Sequence, residues 1–134
     1  MGAIMAEDFG KLVLRLGVGG MMLFHGVHKL LTGLDPVKSL LAAHKLPDAF
    51  AYVVYFGEIV GPLLIIIGLF VRVGAFLVAF EVAALVALGG LAQALLLTPD
   101  GGYALEVEAL YLAGALAILL LGPGKIAVAK GKFQ

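Results

Sequence analysis

The sequence contains no cysteine and no tryptophan, and only 13% of its 134 residues are charged. Without cysteine the chain has no redox-active thiol pair and no thiolate ligand for zinc or an iron–sulfur cluster. Nine Lys and Arg residues balance nine Asp and Glu residues, so neither a basic surface for nucleic acid nor an acidic tail is expected. Thiol chemistry and nucleic-acid binding are therefore excluded as functions.

Apolar residues, in contrast, make up 63% of the chain. Soluble globular domains contain about 45–50% apolar residues, and a chain of this length has too little interior to bury the excess. We therefore predict an integral membrane protein whose main contact is the lipid bilayer. The N-terminal sequence MGAIMAEDFGK is acidic and no signal-peptide cleavage site follows it, so the first apolar segment is predicted to be a retained helix.

Turn-forming residues divide the apolar sequence into four segments, each near the roughly 20 residues that a transmembrane helix needs. Pro36, the Pro99-containing turn TPDGG and the sequence GPG at 122–124 mark the breaks. The four predicted helices are about 9–34, 49–70, 72–97 and 103–121, with a short amphipathic segment over 36–46. The predicted fold is a single all-α membrane domain over 1–134, with four transmembrane helices in an antiparallel bundle.

The distribution of Lys and Arg predicts the orientation of the chain in the membrane. One side, with the termini and the connection between helices 2 and 3, contains Lys11, Arg15, Arg72, Lys125, Lys130 and Lys132. The other side contains Lys38 and Lys45, with Lys29 close to it. Both termini are therefore predicted to be cytoplasmic, in a multi-pass protein of the cytoplasmic membrane.

Ionisable residues inside the predicted helices are the candidate functional residues, because each costs about 2.5–3.5 kcal/mol in the bilayer centre if unpaired. They are Arg15, His25, His28, Lys29, Glu58, Glu81, Glu106 and Glu108. All are expected to face inward and to find partners on other helices. With four carboxylates against two obligate cations and two histidines, a glutamate is expected to carry a proton or a histidine a charge.

Depth along the helices, at 1.5 Å per residue, predicts which of these groups meet. His25 lies about 10 Å below the outer end of helix 1, and Glu58 about 13 Å below the outer start of helix 2, so they are expected at one level. Lys29 is one turn shallower, at the level of the glutamates of helix 4. The carboxylate of helix 3, Glu81, is left with Arg15 as its nearest long cation.

Pro62 adds a second polar feature to helix 2. Proline has no N–H to donate to the carbonyl of residue 58, so the backbone oxygen of Glu58 loses its helical partner beside a kink. A free carbonyl and a carboxylate at one level form a polar pocket for a proton, a water molecule or a ligand.

Two other interpretations of the same residues remain open at this point. The His, Lys and Glu groups are also explained as interhelical pairs that only fix the packing, and Glu81 as a packing residue. A metal site is disfavoured because His25 and His28 have no third histidine or HExxH motif beside them. Haem is disfavoured because both histidines lie on one helix.

Three stretches of the sequence resemble the DoxX family of small bacterial and archaeal membrane proteins. They are LVLRLGVGGMMLFHGVHKL, LPDAFAYVVYFGEIVGPLLIIIGLFVRVGAF and GGYALEVEALYLAGALAILLLGPGK. The matching positions are Arg15, His25, Gly26, Lys29, Pro47, Glu58, Gly61, Gly68, Arg72, Glu106, Tyr111, Leu112 and the Gly122-Pro123-Gly124 sequence. The chain departs from the family pattern at Pro62, where glycine is common, and in the C-terminal sequence KIAVAKGKFQ.

The resemblance implies a four-helix inner-membrane protein associated with a quinone-linked redox system, such as a thiosulfate:quinone oxidoreductase or an oxidative-stress complex. It implies quinone as the cofactor, a protein partner that supplies electrons, and a binding role for His25, Lys29, Glu58 and Glu106. The remaining ionisable residues are predicted to form ion pairs or relay protons. They are Arg15, His28, Glu81 and Glu108. No catalytic motif is present, so no catalytic residue is assigned.

Three hypotheses follow for the function. The first is a quinone-associated membrane subunit whose buried His/Lys/Glu cluster binds the head group or moves its protons. The second is a non-catalytic scaffold that assembles a redox or oxidative-stress complex. The third is a small permease for protons or a weak acid, which at 134 residues would require a homo-oligomer.

Overall fold

The computed structural model describes residues 4–129, and most of these residues are helical. The helices are α1 (Ala6–Thr32), α2 (Asp35–Ala43), α3 (Asp48–Ile67), α4 (Val71–Gly89) and α5 (Glu106–Leu121). Within the described part, β pairing is limited to one bridge between Leu97 and Tyr103. The prediction of an all-α protein is therefore confirmed.

Helix α3 changes its winding along its length. It begins as a 3₁₀ helix over Asp48–Val53, widens to a π-helical turn over Phe56–Val60 and continues as an α-helix over Gly61–Ile67. The π turn ends two residues before Pro62, whose ring nitrogen cannot donate the hydrogen bond that an α-helix needs there. The irregularity expected from Pro62 is thus a widened turn that contains Glu58.

Four of the helices pack around a common centre. Helix α1 contacts α3 and α5, and α4 contacts the same two helices from the other side. Gly26 of α1 lies against Glu58 of α3, and Gly19 lies against Pro62, so these two helices are antiparallel. Helices α3 and α4 are joined by only three residues, 68–70, and run antiparallel as well.

The interior has a large and a small apolar cluster. The large one joins all four packed helices and contains Val18, Met22, Ile65, Val71, Ala75, Val78, Ala79, Val82, Ala115 and Ile118. The small one joins α2 to the start of α3 and contains Leu34, Val37, Leu41, Ala51 and Val54. Helix α2, in the region of the predicted amphipathic segment, therefore rests its apolar side on α3.

The outer surface of the packed helices is also apolar. Phe24 and Leu110 are each 72% exposed and Leu120 is 79% exposed, an arrangement that suits lipid and is unfavourable in water. Two helices, α3 with 20 residues and α4 with 19, are long and apolar enough to cross a membrane. The other two packed helices do not meet this criterion of length and apolar character. Helix α5 has only 16 residues, and α1 contains several of the ionisable residues discussed above.

The predicted ends of two helices are wrong. Helix α4 ends at Gly89 instead of near residue 97, because consecutive glycines weaken it there, and a 3₁₀ turn over Leu91–Gln93 follows. The chain then makes a small hairpin in which the Thr98 and Gly102 backbones are hydrogen bonded. As a result α5 begins at Glu106 instead of at residue 103.

The segment after α5 folds back across the end of α3. The N–H groups of Val128 and Ala129 donate to the carbonyls of Ile67 and Gly68. Near this point Lys125 donates its backbone N–H to the Asp8 carboxylate at 3.1 Å. The described chain ends therefore meet at one end of the packed helices, opposite α2. Lys130 and Lys132, which contribute to the predicted orientation, lie outside the described residues.

Candidate functional site

A cavity of about 270 Å³ lies between the packed helices, at the level where α4 ends and α5 begins. Its walls come from α1, α3, α4 and α5. The polar side chains that line it are His25, Lys29, Glu58, Glu81, Gln93, Glu108 and Tyr111. The rest of the wall is mostly apolar, as is usual for small-molecule sites.

An ion pair between α1 and α3 forms the centre of this site. Lys29 Nζ donates to Glu58 Oε1 at 2.6 Å, and the side chains are 22% and 3% exposed, respectively. Such a short, charge-assisted bond in a poorly hydrated place is a strong one. It fixes the positions of both charged groups at the cavity wall.

The depth estimate from the sequence placed His25 level with Glu58, and the neighbouring Gly26 does lie against the Glu58 carbonyl. The ion-pair partner of Glu58 is nevertheless Lys29, one turn further along α1. Side chains on a helix tilt towards its N-terminus, so the long Lys29 side chain brings its ammonium group down towards the level of Glu58. Counting Cα depth alone ignores this tilt.

Glu81 of α4 brings a second carboxyl group to the same place. It is 5% exposed, lines the same cavity as Glu58 and lies against Gly57, the residue before Glu58. Its Oε1 atom is fully buried and has no hydrogen-bond partner among the described residues. Together with Lys29 this gives two carboxyls and one ammonium, a group that is neutral only when one carboxyl carries a proton.

Two glycines allow the three helices to approach this closely. A Cβ atom on Gly26 of α1 would lie 2.2 Å from the backbone oxygen of Glu58, and one on Gly57 of α3 would lie 2.3 Å from Cβ of Glu81. Both distances are far below van der Waals contact, so any larger side chain would separate the helices. The close approach at Gly26 occurs at the carbonyl that Pro62 leaves without its α-helical donor.

Helix α5 forms the remaining wall. The Tyr111 ring meets the His25 ring edge to face, with centroids 5.8 Å apart and planes at 82°. Glu108, one turn before Tyr111, also lines the cavity. His25 itself is exposed on its other side, so this pair forms the rim between the cavity and the outer surface of the helices.

Two of the predicted site residues lie elsewhere. His28 is exposed on α1, and Glu106 is exposed at the start of α5, where its carboxylate approaches the position of Gly102. Neither lines the cavity. The cavity is lined instead by His25, the other histidine of α1, and by Glu108, the other glutamate of α5.

Arg15 does not pair with Glu81. Its guanidinium is 1% exposed and donates to four backbone carbonyls, at 2.8 Å to Ile65, 3.0 Å to Ile66, 3.1 Å to Pro123 and 2.5 Å to Ile126. The first two belong to the last turn of α3, where helix carbonyls lack backbone donors. Arg15 therefore caps α3 and anchors the returning C-terminal segment.

The sequence analysis did not place Tyr111 and Gln93 at the cavity, although both line it. Tyr111 follows Glu108 by three residues and so shares its helix face, a signal that went unused because Tyr111 was considered only as a position matching the family. Gln93 lies in the 3₁₀ turn after α4, inside the segment that the sequence assigned to a longer helix. No periodic pattern would have placed it at the cavity.

The arrangement has the groups needed for binding a small polar molecule and exchanging protons with it. Lys29 and Tyr111 are donors, Glu81 has an unused acceptor atom, and His25 is able to act in either role. Within residues 4–129, no three His, Asp or Glu side chains come close enough together to hold a metal ion.

This geometry defines a membrane protein built from packed helices around a polar cavity. The DoxX family model matches residues 10–90, which contain most of α1 and all of α2 to α4, and hence Lys29, Glu58 and Glu81. The chain belongs to the DoxX family. Neither a curated protein nor a solved structure matches it significantly. The α5 wall with Glu108 and Tyr111 lies beyond the matched residues.

Proposed function

We propose that this protein is a quinone-associated subunit of the cytoplasmic membrane, and that its polar cavity binds the quinone head group. The observation that carries the proposal is the unpartnered, buried Oε1 of Glu81 beside the Lys29–Glu58 pair, at the wall of a cavity of about 270 Å³. An acceptor left unpaired in such a place is costly, and a bound molecule with a donor would satisfy it.

The groups around the cavity suit a head group with two opposed oxygen atoms. In its oxidised form a quinone offers two acceptors, for which Lys29 and the Tyr111 hydroxyl are donors; in its reduced form it offers hydroxyl donors, for which Glu81 is an acceptor. Conversion between the forms moves two electrons and two protons. The carboxyl pair holds one exchangeable proton when the cluster is neutral, and His25 at the rim is a path to solvent.

Electrons are supplied by a redox partner protein or a cofactor that it contains, since the chain has no cysteine for thiol chemistry. In this proposal α1 and α5 cross the membrane with α3 and α4. The cations at the end with the chain termini face the cytoplasm. The cavity then opens towards the opposite side, where α2 lies.

The test uses two matched pairs of variants. His25→Gln and Glu108→Gln alter cavity residues, while His28→Gln and Glu106→Gln change the same residue types at nearby positions outside it. Binding of tail-less benzoquinone and naphthoquinone is measured by titration calorimetry in detergent. We expect the cavity variants to weaken binding by about three- to tenfold, the equivalent of one hydrogen bond, and the controls to match the unmodified protein. Absence of binding, or equal effects within each pair, would refute the proposal.

A scaffold function is the second candidate, and the Lys29–Glu58 bond favours it because that bond ties α1 to α3. A pure scaffold would bind no quinone, yet would lose stability when this bond is removed. Because Glu58→Gln is expected to lose stability under either function, quinone binding by the unmodified protein is the measurement that separates them.

A further inference from the structure

A second cavity lies beside the first, on the outer side of the contact between α1 and α5. It has a volume of about 250 Å³ and is lined by Gly17, Val18, Met21, Val107, Leu110 and Tyr111. We call it the lateral groove. None of these lining residues is charged, and Met21, Leu110 and Val107 are 55%, 72% and 52% exposed, respectively.

The lateral groove adjoins the polar cavity. Val107 and Tyr111 line both spaces, so the two share one wall of α5. Tyr111 presents its ring to His25 at this boundary. The charged groups of the polar cavity are therefore separated only by this boundary from the apolar lateral groove on the outside of the protein.

Gly17 lines an open part of the groove. A Cβ atom added there would have no heavy atom within 4 Å, so the space above this residue is empty of protein. Where α1 and α5 do touch, at Val18 and Gly114, a Cβ on the glycine would lie 2.5 Å from the valine side chain. The groove therefore lies beside a close contact between α1 and α5, and a large side chain at position 17 would extend into it.

We propose that the lateral groove is the exit for the hydrocarbon tail of the molecule whose head group occupies the polar cavity. The proposal rests on the proposed function and specifies its ligand as an amphiphile with one long tail, which enters sideways from the lipid between α1 and α5. A tail in the groove stays in contact with lipid-like surface throughout. It gains little free energy relative to the bilayer, so an open groove adds little affinity, whereas a filled groove excludes the tail and weakens the binding of tailed molecules.

The first experiment narrows the groove. Gly17→Leu fills the empty space, and Gly10→Leu is the matched control, because Gly10 has the same orientation on α1 about 10 Å away and its Cβ would also meet nothing within 4 Å. Binding of tail-less and decyl-tailed benzoquinone is compared. Gly17→Leu is expected to weaken the tailed ligand by about tenfold, or 1.4 kcal/mol, and to leave the tail-less ligand unchanged.

The second experiment locates the tail directly. The chain has no tryptophan, so Leu110→Trp in the groove and Leu116→Trp on another part of α5 each give a single fluorophore at an exposed position. A benzoquinone with a brominated tail should quench the fluorescence of the Leu110→Trp variant more strongly than that of the Leu116→Trp control, at concentrations that saturate the cavity.

The outcomes separate the two proposals. If neither benzoquinone binds the unmodified protein, the proposed function fails. If the tail-less ligand binds but Gly17→Leu leaves the tailed ligand unaffected, or if both fluorophores are quenched equally, the lateral exit is overturned while the head-group site stands.

Discussion

Removing the charge of Glu58 should destabilise the protein, whereas removing the ionisable group of Glu81 should not. Lys29 has Glu58 as its hydrogen-bonded carboxylate, at 2.6 Å. In Glu58→Gln the ammonium keeps an amide oxygen as acceptor but loses its counter-charge. Because Lys29 pairs with Glu58, we assign the proton of the neutral cluster to Glu81. In Glu81→Gln the ion pair survives, and an amide of the same shape replaces the protonated carboxyl group.

The size of the effect follows from how deeply the pair is buried. Removing one partner of a fully buried pair costs about 3–5 kcal/mol. Because the Lys29 side chain is still 22% exposed, part of its charge is solvated, and we expect about 2–3 kcal/mol for Glu58→Gln. Glu81→Gln should change the free energy of unfolding by less than about 1 kcal/mol.

Unfolding is followed by far-UV circular dichroism while SDS is titrated into dodecyl maltoside micelles. Lys29→Met combined with Glu58→Gln removes both charges, so the double variant should be more stable than the sum of the two single changes predicts, by about 2 kcal/mol. Equal destabilisation by Glu58→Gln and Glu81→Gln would refute the assignment of the proton to Glu81. Additive single effects would refute the importance of the ion pair.

Three further variants, with Gly20→Ala as a control, test other contacts that hold the helices together. Arg15→Lys replaces a planar guanidinium that donates to four carbonyls with a single ammonium. It should lower the free energy of unfolding by about 3 kcal/mol in the same assay. An unchanged midpoint would contradict the capping role. Gly26→Ala should cost about 1–3 kcal/mol by pushing α1 away from α3, while Gly20→Ala, whose Cβ would meet nothing within 4 Å, should be neutral or stabilising. Asp8, ahead of the apolar run, accepts a hydrogen bond from the Met5 N–H at 2.9 Å, which lowers the pKa of its carboxyl. The stability that the ionised Asp8 carboxylate contributes is present above the unfolded-state pKa and is lost as the pH falls through the lower folded-state pKa. Asp8→Asn should therefore be less stable than the unmodified protein at pH 7 and equally stable at strongly acidic pH.

The sequence was sufficient to predict the helical class because long apolar segments leave few alternatives. Proline and glycine also indicated most helix ends correctly. The end of α4 was missed because Gly89 and Gly90 lie in a sequence that stays apolar to Leu97, and hydropathy alone does not reveal a break. The small hairpin at Thr98 to Tyr103 then moved the start of α5 as well.

The site was only partly predictable for a different reason. That buried acids and bases meet one another follows from the cost of leaving them unpaired, but which of them meet depends on side-chain direction and on irregular backbone. The π turn at Phe56–Val60 sets the position of Glu58, and the returning segment after α5 supplies carbonyls to Arg15. Neither feature has a repeating pattern in the sequence. Glu81 was therefore assigned the wrong neighbour.

The composition of the Lys29, Glu58 and Glu81 group favours binding over scaffolding. Apolar side chains of similar size would join α1, α3 and α4 at least as stably as a buried ion pair does. A scaffold also has no use for a third ionisable group whose buried oxygen, Oε1 of Glu81, has no partner among the described residues. Such an atom lowers stability in the free protein and raises affinity for any molecule that donates a hydrogen bond to it. This exchange of stability for affinity is what a ligand site requires, and the neighbouring cavity provides the room for the ligand.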